Sequence, residues 1–172
     1  MTKLDDIVVG VVALSGGELV GRIRLQKIVY LLEQKGLKSD AKFTYHHYGP
    51  YSEAIADAVT DAKFWDTLEE TTEFRKLDGA PFSIFRSHRP MSDFQQLGEL
   101  SQEGARNLLA RLNSESSTAL ELAATIHWLT QVEKLADWQQ ELERRKPGKA
   151  NFGRLEKAIT LLKELELPPS SS

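Results

Sequence analysis

A chain of 172 residues, 41% hydrophobic and 27% charged, carries enough apolar material for a real core and has the composition of an ordinary globular domain. Its net charge of −3 disfavours a polyanion as partner of the surface as a whole, and the lack of cysteine excludes a disulfide framework, a zinc ribbon and a thiol nucleophile. The longest apolar run, DIVVGVVALSGG at 6–17, is shorter than the roughly 20 residues of a membrane helix and follows acidic residues rather than a basic signal-peptide start, so a cytoplasmic location is expected.

Leu4, Ile7, Val8, Val11 and Val12 have helical spacing, and Ser15-Gly16-Gly17 closes that helix as a turn. A second helix runs from Arg22 to Lys35. Leu25, Ile28, Val29 and Leu32 form its main stripe, with Ile23 and Tyr30 on another face, as in a helix packed on both sides. FTYHHY at 43–48 reads as a short strand broken by Gly49-Pro50, with its rings packed between helices. Ser52 suits the N-cap of the next helix, whose buried stripe is Ile55, Ala58, Val59 and Ala62. Residues 67–77 and 80–88 flank Asp78-Gly79 and predict a two-residue hairpin. A connector at 89–100 leads to helices at 101–112, 117–142 and 152–165, then to LPPSSS, a tail expected to be disordered.

This order predicts a mainly α protein with a small β-hairpin, an α+β fold. A winged-helix-like half over 1–90 would be followed by a helical region over 91–167 packed on it, and a tail over 168–172. A strand between the second and third helices departs from a tight helix-turn-helix.

Charge is unevenly spread: residues 22–52 carry +4 and residues 53–80 carry −5. Glu53, Asp57 and Asp61 recur every fourth residue and form one acidic helix face. With Glu69 and Glu70 on the hairpin, they form a candidate docking face for a basic protein partner. That face repels phosphates, so groove insertion by this helix is disfavoured. An alternative DNA contact would use Arg22, Arg24, Lys27, Arg86 and Arg89. His46 and His47 point to opposite faces of a strand and do not make a metal site. Ser52 lacks a G-x-S-x-G elbow, no phosphate loop or dinucleotide fingerprint is present, and no cofactor is implied. The carboxylates of 66–73 and the basic RRKPGKAN at 144–151 read as solvated segments. No catalytic set emerges, and no enzyme is expected.

Two stretches are distinctive: Leu25-Gln26-Lys27-Ile28-Val29-Tyr30, and Tyr48-Gly49-Pro50-Tyr51-Ser52. Together with LELAATIHWL at 120–129, they resemble the YwgA-like uncharacterised bacterial and archaeal proteins over most of the chain. Over residues 20–65 they more distantly resemble the Panacea (SocA-type antitoxin) domain. The Panacea resemblance implies a non-enzymatic, antitoxin-like regulator that binds a protein partner, a basic toxin for instance, or that serves a defence locus. The alternative is a winged-helix DNA-binding transcriptional regulator. From the residues alone, YHHYGPYS is a structural joint in which Tyr48 is buried.

Overall fold

The computed structural model describes residues 1–169, and in it four of the helices start where a polar side chain satisfies a free backbone amide. Thr2 and Asp5 form a reciprocal capping box for α1 (Lys3–Leu14). Ser52 caps α3 (Glu53–Phe64), Ser101 caps α4 (Gln102–Asn113) and Ser116 caps α5 (Ser117–His127). The predicted second helix is α2 (Arg22–Gln34), buried continuously from Leu25 to Leu32, as its two apolar faces require.

Ser15-Gly16-Gly17 leads directly into a short strand that the sequence conceals, β1 (Glu18–Val20). Three residues are too few for a periodic signal; pairing with a distant strand defines them. The hairpin is β4 (Leu68–Phe74) and β5 (Pro81–Ser87), and β1 lies antiparallel to β5, giving the sheet order β1-β5-β4. Pairing ends at Phe74 and Pro81, so Asp78-Gly79 sits inside a longer loop, closed by Arg75 N–H donating to Ala80 O at 2.9 Å.

The aromatic strand also differs from expectation. β2 (Thr44–His46) turns at His47-Tyr48 and pairs with β3 (Gly49–Tyr51), so Gly49-Pro50 is the return strand and not a breaker. A second small hairpin, β6 (Gln96–Leu97) and β7 (Leu100–Ser101), occupies the presumed connector. The single helix expected over 117–142 is two: α5 passes into a π-helical turn (Trp128–Val132), and α6 (Trp138–Arg145) follows. The last helix is α7 (Arg154–Glu164), while residues 170–172 of the expected tail lie outside the described residues.

The result is a mixed α+β fold with seven helices and small antiparallel sheets among the described residues. One connected core runs from α1 and α2 through α3, α4 and α5 to α7. None of the described helices is long and apolar enough to cross a membrane.

Candidate functional site

The two distinctive sequence stretches meet in space, and side chains of α2 hold the β3 corner. Gln26 grips one residue from both sides: its Nε2 donates to Ser52 O at 3.0 Å, and Ser52 N–H donates to its Oε1 at 2.9 Å. Lys27 Nζ donates to Pro50 O at 2.6 Å, although Lys27 is only 1% exposed. A third residue of the same helix, Tyr30, pairs its hydroxyl with His127 Nδ1 at 2.7 Å on α5. The L-Q-K-x-x-Y and Y-G-P-Y-S stretches are therefore two halves of one latch.

Beneath the corner lies a charged cluster. Glu121, 2% exposed in an otherwise apolar stretch of α5, accepts from Lys149 at 2.6 Å and lies 3.7 Å from Lys146. Lys146 also donates to His47 O at 3.1 Å. Burial pulls Lys27 down to about 8; Glu121 opposes this, and Lys146 and Lys149 add to it. Lys146 is lowered for the same first reason. Gly49 has φ +91°, and a Cβ there would sit 2.5 Å from Thr125 Oγ1, a buried hydroxyl with no hydrogen-bond partner.

On the outer side of the latch a cleft of about 130 Å³ opens between α2 and α3. Arg22, Gln26, Lys27, Tyr48, Tyr51 and Thr60 give it polar groups; Ile23, Leu25, Ile55, Val59 and Phe85 make the rest apolar. A mostly apolar cavity with a few convergent polar groups is the ordinary form of a small-ligand site. Glu53 and Asp57, on the exposed side of α3, and Arg22 all act electrostatically on Tyr51. At the cleft edge Arg22 donates to both oxygens of Glu70, at 2.6 and 2.8 Å. Glu70, its side chain only 6% exposed, also accepts from Lys63 and from Ser83. Burial raises Glu70, but these three partners outweigh it and hold the carboxyl down at about 2.

Of the acidic residues singled out in the sequence, Glu53, Asp57, Asp61 and Glu69 are exposed, whereas Glu70 is turned inward and fully engaged. The five basic candidates are dispersed. Arg22 serves Glu70, and Arg24 donates to the carbonyls of Val20 and Glu115. Lys27 serves Pro50, Arg86 pairs with Glu18, and Arg89 pairs with Asp6 and Asp93. Among the joint residues, Tyr48 is 52% exposed and His46 and His47 are exposed, so these rings do not pack between helices. Among the described residues no three histidine or acidic side chains gather as a ligand set for a metal ion. Sequence reasoning missed Glu121, Lys146 and Lys149. The lone glutamate inside LELAATIHWL was the available signal, because an isolated charge in a buried helix demands partners.

Comparison with known proteins now bears on what this site does. No protein-family model matches the chain. Two curated proteins do: the DNA ADP-ribosyl glycohydrolase of Thermus aquaticus, 25% identical over 84% of this chain, and YwgA of Bacillus subtilis, 29% identical over 65% of it. The chain is a distant homologue of both. The matches span 41% of the glycohydrolase and 66% of YwgA. YwgA bears out the resemblance read from the latch residues. The glycohydrolase overturns two expectations, that the chain is not an enzyme and that it is a non-enzymatic protein-binding regulator, and the transcriptional-regulator alternative falls with them. Glycoside cleavage in general rests on positioned carboxylates and a shaped pocket. Neither leaves a short signature of the kind that marks a nucleophile elbow or phosphate loop.

Proposed function

We propose that this chain is a hydrolase acting on DNA that carries ADP-ribose, with the cleft between α2 and α3 as its site. The observation that carries the reading is the match to a DNA ADP-ribosyl glycohydrolase over 84% of the chain. Because that match covers 41% of the enzyme, its activity is carried over only as a proposal. The lining of the cleft supports it. Tyr48 and Tyr51 offer rings to a base or ribose, and Arg22 keeps donors beyond the two it gives Glu70 for a phosphate oxygen.

In this reading the bond between the ribose anomeric carbon and the DNA acceptor atom breaks. Water adds its oxygen to that carbon, and the acceptor leaves with a proton. Glu53 and Asp57, exposed on α3 and acting electrostatically on Tyr51 of the cleft lining, are the carboxylates we assign to moving the protons. Glu70, held ionised by three partners, is a structural anchor for Arg22. The order α1-β1-α2-β2-β3-α3-β4-β5, with the β2–β3 hairpin inserted between α2 and α3, supports describing the first half as winged-helix-like, here as a frame for a cleft.

The test is release. A purified oligonucleotide carrying ADP-ribose is incubated with the protein, and both the unmodified strand and free ADP-ribose are followed by mass spectrometry. Their appearance together supports the reading; an adduct left intact by excess protein overturns it.

A further inference from the structure

Residues 144–151 read in sequence as a solvated basic turn, yet the segment from Arg144 to Arg154 does not have the surroundings of a plain turn. It carries five cations and no carboxylate of its own; Arg144, Arg145, Lys146 and Lys149 are paired with Glu141, Glu133 and Glu121 from outside the segment, whereas Arg154 donates only to the Asn151 and Gly148 carbonyls. Aromatic rings interleave with those cations. Phe152 is 92% exposed at φ +61°, a left-handed conformation that is costly for a large side chain, and no packing contact requires the ring there. The Arg154 guanidinium stacks 5.5 Å from the Phe152 ring centre, and Lys149 lies 5.3 Å from that of Tyr48. Lys149, which also neutralises the buried Glu121, is three residues from Phe152, so the two ring-and-cation units are within ~10 Å of chain reach of one another. Lys146 ties this segment to the β2–β3 turn through His47 O. Lys157, one helical turn after Arg154, is also exposed.

We propose that this surface binds single-stranded DNA, with bases stacked on Tyr48 and Phe152 and phosphates along Arg154 and Lys157. Exposed rings beside cations are the chemistry of sequence-tolerant single-strand binding, where stacking supplies much of the affinity and phosphate contacts the rest. A duplex hides its base faces and cannot use the rings. Tyr48 also lines the cleft, so one ring belongs to both places and a strand lying on this surface leads towards it. The inference rests on the reading above only for the choice of DNA and for this direction of approach.

The experiment is fluorescence anisotropy of the intact protein with an unmodified, mixed-sequence oligonucleotide at several salt concentrations. Binding should favour the single strand over the duplex and weaken steeply with salt. Phe152→Ala and Arg154→Gln/Lys157→Gln should each weaken it about five- to a hundredfold, and Phe152→Trp should restore it. An unchanged thermal midpoint for Phe152→Ala separates lost contact from lost fold. No binding at low salt, equal affinity for duplex, or wild-type affinity in both variants overturns the proposal. Because the probe carries no ADP-ribose, binding without release removes only the hydrolase reading, and release that ignores these variants removes only the surface.

Discussion

At the scale of single residues, Tyr48 shows how a motif can be located correctly and its parts misassigned. An aromatic beside Gly-Pro invites burial, but half of Tyr48 is exposed, and the residues that fix the corner are its neighbours. Gly49 is the least replaceable of these. Its φ of +91° disfavours any side chain, and a methyl would meet Thr125 Oγ1 at 2.5 Å. Gly49→Ala should cost about 2 kcal/mol or more, read by urea unfolding. Adding Thr125→Ala should recover only part of this, since removing the hydroxyl leaves the backbone strain. Glu70 gives a prediction with a sign in pH. Its carboxyl lies at about 2 in the folded chain, against an ordinary 4.5, so its contribution is complete above 4.5 and fades as pH falls towards 2. Glu70→Gln should therefore lose about 1–3 kcal/mol at pH 7, with the gap from wild type closing between pH 4.5 and 2.

At the scale of elements, the helices were legible and the short strands were not. α1, α3 and α4 carry both an apolar stripe and a side-chain cap, two local signals that agree, and α2 carries its stripes alone. β1, β3, β6 and β7 have two or three residues each, defined by partners elsewhere in the chain. The break after α5 was hidden because Trp128–Val132 keeps helical spacing while its hydrogen bonding widens to a π turn. The clamp between α2 and β3 is likewise a long-range fact. Gln26 and Ser52 are 26 residues apart, and nothing in the spacing predicts that one amide side chain satisfies both backbone groups of the other residue. Gln26→Leu should strand a buried N–H and a buried C=O, costing about 2–4 kcal/mol. Hydrogen exchange should then speed at Ser52 and across the first turn of α3 while α7 keeps its protection.

At the scale of the whole molecule, charge is sorted in a way its net value conceals. Exposed carboxylates lie along α3 beside the cleft, and cations gather at residues 144–154, where Lys149 reaches the Tyr48 ring. The acidic face was visible in the sequence as a four-residue repeat. Its neighbourhood was not, because the cleft forms only when α2, α3 and the β2–β3 turn come together. An acidic helix beside a small aromatic and cationic cleft is a different object from an acidic helix alone. The first is where we propose hydrolysis; the second suggested only docking. The decisive measurement is the single-turnover rate of ADP-ribose release from a modified single-stranded oligonucleotide, for the wild type and for Glu53→Gln/Asp57→Asn. The account predicts release by the wild type and a rate at least about a hundredfold lower in the variant, with oligonucleotide binding unimpaired. Equal rates would contradict the assignment of these carboxylates, and a wild type that leaves the adduct whole would contradict the account itself.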